Sequence, residues 1–220
     1  MEITLTLSAN AGIALDIGGR RLWVDALHEG KQPGFSTLSP QLQQNMLACE
    51  AFFRPEFICY THCHPDHYSA RLTELARKLW PQAELLLPEE RTVEKDGLSV
   101  RFLKLPHEGE QYADVVHCGI IISCGGINIL LSGDCAVAAP ELAAALADIP
   151  IHVAILDFPW ITLKKGRKFL AEHLSGAQII LCHLPFAEDD INGYRLSAKN
   201  AALQLQNCKL LWDPLQSIQI

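Results

Sequence analysis

Thr61-His62-Cys63-His64-Pro65-Asp66-His67-Tyr68 is the stretch on which the reading of this chain turns. It follows an apolar run, Phe57-Ile58-Cys59-Tyr60, that reads as a short buried strand. After it, Leu72, Leu75, Ala76 and Leu79 recur at helical spacing, which predicts a helix over 69–79 that Pro81 ends. His62, His64, Asp66 and His67 therefore sit where a strand gives way to a helix. In extended backbone, residues two apart point the same way, so His62 and His64 can converge on one ion. The turn into the helix swings Asp66 and His67 aside, toward a second ion. Imidazole and carboxylate donors suit zinc, and equally iron, manganese or nickel, so the residue types alone do not select the metal.

Working outward, the first quarter predicts strands at 3–7, 12–17 and 21–24, with Gly18-Gly19 supplying the positive φ of a tight hairpin. Gly, Pro and Ser mark a loop from 31 to 40, and Ser39-Pro40 predicts the cap and first turn of a helix running through Phe52. Beyond the histidine-rich loop, strands are expected at 84–86, 98–105, 119–123 and 127–131, the last two joined by Gly125-Gly126. Then come a helix at 140–147, a strand at 152–156, a helix at 163–174, a strand at 178–181, a helix near 198–205 and a closing strand. Strands in series first and strand-helix alternation later imply an α/β fold with two sheets packed face to face and helices outside. With 220 residues and 49% hydrophobic content, the chain can bury a full core, and we expect a single domain over 1–220.

Composition narrows the setting. The apolar stretch 118–132 is interrupted by Gly125, Gly126 and Asn128, short of the roughly 20 apolar residues that a membrane-spanning helix needs. Met1-Glu2-Ile3-Thr4-Leu5 carries an acid where a secretory signal would carry Lys or Arg. The eight cysteines are scattered and form no Cys-x-x-Cys pair, which suggests reduced thiols in a cytoplasmic protein. A net charge of −7 offers no broad basic field for a nucleic-acid backbone, so a small-molecule substrate is expected, without nucleic acid or membrane partners.

The loop at 62–67 resembles the His-x-His-x-Asp-His signature of the metallo-β-lactamase superfamily, in the strand-loop-helix setting where that signature sits. The resemblance implies a four-layer αββα sandwich and two divalent ions, zinc foremost. His62 and His64 would serve the first ion, and Asp66 and His67 the second. It also asks for a third histidine, a bridging aspartate and a final histidine in that order. Ile129-Leu130-Leu131-Ser132-Gly133-Asp134 is similar to the bridging-aspartate motif, and Ile179-Ile180-Leu181-Cys182-His183 to the segment carrying the last ligand. The Gly-His-Thr element of many relatives is missing, which leaves His107 and His117 for the third histidine. His107 is preferred because it ends a strand, whereas His117 begins the next one.

Around this set, Asp25 resembles the family's early aspartate, which supports the metal loop; a simple strand-end turn is the other reading. Asp157 lies at a strand end that this topology would bring near the site, where with Trp160 it could line a cleft. Lys164, Lys165, Arg167 and Lys168 form the densest basic run, either greeting an anionic substrate or making a solvated helix face. His28, His152 and His173 match nothing, and Cys135 reads as packing. The resemblance implies a hydrolase in which Asp66 and Asp134 are catalytic and a hydroxide shared by two ions attacks a carbonyl or phosphoryl centre. Aspartate at the bridging position argues against β-lactam hydrolysis. Without the Gly-His-Thr element a glyoxalase is also disfavoured, leaving a lactonase-like or phosphodiesterase-like hydrolase. No leaving-group acid is evident, although His117 is a candidate if it is not a ligand. The rival readings are an iron-dependent reductase or dioxygenase and a metal-binding protein without turnover.

Overall fold

Period-2 patterning and tight glycine turns open the chain, and the structure, a computed structural model describing residues 1–220, shows what they build. Strands β1 (Ile3–Leu7), β2 (Ile13–Ile17) and β3 (Arg20–Val24) form an antiparallel meander. Ile17 pairs with Arg20 across Gly18 and Gly19, whose φ angles of 59° and 90° suit the two-residue turn that matches strand twist.

Helix α1 (Pro40–Ala48) starts where expected, its Ser39 Oγ accepting from Leu42 N at 3.2 Å, but it does not reach Phe52. The backbone turns extended at Cys49, and a short 3-10 turn, Glu50–Phe52, follows. A continuous helix would carry Phe52 well off the stripe on which Leu42 and Met46 are buried. The break returns it to the core, 5.8 Å from Trp23.

Strand β4 (Phe57–Cys59) then pairs in parallel with β3, and helix α2 (Ala70–Leu79) leads to β5 (Glu84–Leu86), parallel to β4. Ser69 caps α2, and Leu72, Thr73 and Ala76 are its buried face. Strands β3, β4 and β5 advance in one direction across the sheet, so right-handed crossovers place α1 and α2 on the same face.

The second sheet opens with β6 (Arg91–Lys95), β7 (Leu98–Lys104), β8 (Cys118–Cys124) and β9 (Ile127–Leu131), all antiparallel neighbours. Strand β6 is absent from the sequence-based expectation. Its residues, Arg91-Thr92-Val93-Glu94-Lys95, alternate between half-buried and exposed at a sheet edge, where burial leaves little apolar signal. Its turn, Asp96-Gly97 with φ 47° and 79°, is nevertheless a recognisable hairpin dipeptide.

After α3 (Pro140–Leu146), strand β10 (Val153–Asp157) is buried along its whole length, as a central parallel strand should be. Helices α4 (Pro159–Thr162) and α5 (Lys164–His173) lead to β11 (Gln178–Cys182), and α6 (Tyr194–Ala202) leads to β12 (Cys208–Leu210). The expected last helix thus begins earlier than position 198, and the single closing strand is in fact two. β12 runs parallel to β11, whereas β13 (Ser217–Gln219) pairs antiparallel with β1.

Two mixed sheets result. The six-stranded one has the order β13-β1-β2-β3-β4-β5, and the seven-stranded one β12-β11-β10-β9-β8-β7-β6. Each belongs to one compact unit. The first comprises Met1–Leu87, His183–Gly193 and Leu211–Ile220; the second comprises Pro88–Cys182 and Tyr194–Leu210. No helix is long and apolar enough to cross a membrane.

Candidate metal centre

In the first unit the site grows from the end of β3. Asp25 is buried and adopts a left-handed φ of 52°, its backbone N–H bonded to Cys59 O at 3.0 Å, so its side chain reaches the start of the histidine-rich loop. Its carboxylate accepts three hydrogen bonds there: from Thr61 N at 2.8 Å, from Thr61 Oγ1 at 2.6 Å and from His67 Nδ1 at 3.0 Å. Asp25 therefore supports the loop, as the resemblance implied.

These partners also assign the imidazole tautomers. A carboxylate only accepts, so His67 carries its proton on Nδ1 and keeps the lone pair on Nε2. Thr61 gives its hydroxyl proton to Asp25 and so accepts from His62 Nδ1 at 3.0 Å, which leaves the His62 lone pair on Nε2 as well. One aspartate thus sets the tautomers of two histidines, an arrangement that outer-shell carboxylates also provide at metal sites.

The donors converge. His62 Nε2 and His64 Nδ1 lie 3.1 Å apart. Asp66, His67 and His183 each offer an atom within 4.8 Å of the others, and His183 Nε2 is 3.6 Å from Asp66 Oδ2. Ligands at zinc distances of about 2.0–2.1 Å in a tetrahedron stand roughly 3.4 Å apart, so each spacing fits a pair of ligands on a cation of its own with small adjustments. All three residues of the second group are buried, where unneutralised charge is costly. His183 follows β11 directly, has a φ of 55°, and its N–H is bonded to Asn10 O at 2.9 Å. A non-glycine residue held in that region costs on the order of 1–3 kcal/mol and persists where surroundings over-determine it.

The loop is also held from below. Gly30 N donates to Pro65 O at 3.0 Å, and a Cβ at Gly30 would stand 2.2 Å from Pro65 Cβ and 2.8 Å from Pro65 O. Gly30→Ala is expected to displace the histidine-rich loop and cost about 1–3 kcal/mol, the range for overpacking. Urea unfolding of the metal-free protein reads this directly, and a wild-type midpoint would contradict it.

The second unit contributes candidate donors of its own. His107 and Cys135 form an isolated bridge between the segments that follow β7 and β9. His107 Nδ1 donates to Glu108 O at 2.8 Å, keeping the lone pair on Nε2, which is 3.7 Å from Asp134 Oδ2. His117 turns its Nδ1 to Leu105 O at 3.3 Å, with its ring 5.6 Å from that of His107. His107 Nε2 thus faces the Asp134 carboxylate at a distance that two ligands of one cation could share. A cavity of about 570 Å³ in this unit is lined by Leu105, Pro106, His107, Val115, His117 and Ala136 among others.

Some expectations change. Trp160 is completely buried against Phe169, 5.2 Å away, and lines no cleft; it belongs to the core of its own unit. Asp157 is buried at the end of β10. The basic run turns to local partners: Lys165 to Glu108 at 3.6 Å, Lys168 to Glu172 at 3.7 Å, and Arg167 to the carbonyls of Ile161 and Thr162. Cys135 is fully buried, and desolvation pushes its thiol well above the usual range, consistent with packing.

His28 donates from Nε2 to Ala9 O at 3.2 Å, His152 accepts from Asn128 N at 3.0 Å, and His173 lies against Phe169. Sequence reasoning missed Phe35, stacked on His183 with centroids 4.6 Å apart. No local pattern announces a contact between residues so distant in the chain.

No protein-family model matches the sequence, and no curated protein is significantly similar to it. Solved structures are similar over the whole chain. The isothiocyanate hydrolase from Delia radicum gut bacteria is 15% identical, with 99% of this chain and 98% of that one covered at a TM-score of 0.64. Igni18, a metallo hydrolase from the archaeon Ignicoccus hospitalis, is 15% identical, with 100% and 99% covered at 0.61. The metallo-β-lactamase fold protein YhfI from Bacillus subtilis is 12% identical, with 100% and 99% covered at 0.62.

Proposed function

We propose that this chain, which has the metallo-β-lactamase fold, is a metal-dependent hydrolase that uses two divalent ions, zinc foremost, to cleave a small-molecule ester, lactone or phosphodiester. The observation that carries the reading is the buried Asp66, His67 and His183 group, with donor atoms within 4.8 Å of one another and His67 held by Asp25 in the tautomer a metal requires. The ligand assignments implied by the resemblance belong to the proposal: His62, His64 and His107 for one ion, Asp66, His67 and His183 for the other, and Asp134 for both. When bound, two such ions supply a water acidified toward a pKa of about 7 and a Lewis acid for the substrate oxygen.

The chain's own residues do the rest. Asp25 fixes the ring planes of His62 and His67 through Thr61 and directly, so the donors need no reorganisation as charge develops. Asp66 and Asp134 bring the anionic charge that offsets the cations. The cavity of about 570 Å³ beside His107 falls in the size range of small-molecule sites, which supports a small substrate over a polymer. His117, one of its lining residues, is the candidate leaving-group acid. Eight cysteines, none in a disulfide, support a cytoplasmic setting.

Metal analysis of protein purified without added metal, beside a panel of esters, lactones and phosphodiesters, tests the reading. About two ions per chain and turnover that Asp134→Asn abolishes are expected. Iron with oxygen uptake, or two bound ions without turnover of any panel member, would overturn it.

A further inference from the structure

Phe35 lies in the Gly- and Pro-containing loop between β3 and α1, far in sequence from every candidate ligand, yet its ring stacks on the His183 imidazole. The centroids are 4.6 Å apart and the planes differ by 13°. The loop is held there by a buried polar clamp. Asn10 reads both backbone groups of Ser36, donating from Nδ2 to Ser36 O at 2.5 Å and accepting from Ser36 N at Oδ1, 3.0 Å away. Asn10's own carbonyl accepts from His183 N, and Ser36 Oγ accepts from Phe186 N at 2.7 Å. Asn10 and Ser36 are both fully buried. The clamp thus ties the Phe35 loop and the His183 segment to one point at the end of β1.

We infer that Phe35, seated by Asn10 and Ser36, is a positioning residue that sets the ring plane of His183 and so aims its Nε2 at the ion shared with Asp66 and His67. The inference rests on the reading of His183 as a ligand. His183 needs such a device. Its left-handed φ places the ring at a turn where no regular element dictates a rotamer, and the His67 ring meets it edge-on at 4.9 Å. A flat face stacked on the imidazole blocks rotation out of plane while leaving the ring edge, where the nitrogens lie, open to a cation.

Metal-stripped full-length protein titrated with Co2+, followed by its visible absorption bands, provides a test independent of turnover. Phe35→Leu keeps apolar volume but loses the flat face. One of two cobalt sites should weaken about tenfold, the lower end of the range for lost ligand orientation, and its band should shift, while the other site stays as in wild type. Phe35→Tyr should restore both affinity and spectrum. Asn10→Gly, which keeps Phe35 and suits the left-handed φ of 49° but removes both side-chain bonds to the Ser36 backbone, should act in the same direction. Urea midpoints of the metal-free variants separate a folding defect from a binding one, and Phe35→Met substitutes if the leucine variant does not fold. Wild-type affinity and spectrum in Phe35→Leu would overturn the positioning role alone. Absence of cobalt binding by the wild-type chain would overturn the metal reading, and this inference with it.

Discussion

Replacing Asp25 by alanine is expected to lower stability by about 3–5 kcal/mol and to weaken metal binding on the order of 10–100-fold. The carboxylate is buried and accepts from Thr61 N, Thr61 Oγ1 and His67 Nδ1. Its removal leaves buried donors unmet, at about 1–3 kcal/mol each, although the Thr61 hydroxyl can rotate toward His62 and recover part of this. The same loss lets His67 shift its proton to Nε2, and a protonated nitrogen cannot ligate.

Asp25→Asn separates the two effects. It preserves volume but turns an amide N–H toward groups that themselves donate, so it should keep more stability than Asp25→Ala while still losing affinity. Urea unfolding of metal-free protein and competitive zinc titration measure the two quantities. If Asp25→Ala bound zinc like wild type, the aspartate would be a strand-end turn residue and nothing more.

Acidification gives the second large effect. His28 is completely buried, and desolvation lowers its pKa from 6.5 to about 4 against the opposing influence of its bond to Ala9 O, with nearby His67 lowering it further. Between those values the unfolded chain binds a proton that the folded chain does not. Stability therefore rises with pH across the window and is lost as pH falls from about 6.5 to about 4, by about 3 kcal/mol in all. Below the window both states are protonated, and above it neither is.

His28→Gln retains an N–H for Ala9 O and cannot titrate. Urea midpoints of metal-free wild type and variant at pH 7, 5.5 and 4 should diverge, with the variant flatter. Parallel pH profiles would mean that His28 is protonated in the folded chain or reached by water.

The boundary between what sequence and structure each disclose runs through particular residues. The placing of the histidine-rich loop, Asp134 and His183 at strand ends was legible because the alternation from strand to polar loop to helix is a local pattern. The hairpin glycines were legible because positive φ leaves few choices of residue. Strand β6 was overlooked because an edge strand buries little, and periodicity reports burial. Helix α1 was drawn too long because its break at Cys49 answers to the packing of Phe52 on Trp23, a contact absent from the local sequence.

By itself, then, the sequence determined the class of fold and the order in which the candidate donors arrive, since residue chemistry and local backbone preference carry that information. Only the tertiary structure decided which tautomers Asp25 imposes, that His107 Nε2 stands 3.7 Å from Asp134, that Trp160 is core, and that Phe35 stacks on His183. Those facts depend on contacts between segments far apart in the chain, and contacts of that range form only when the whole core closes.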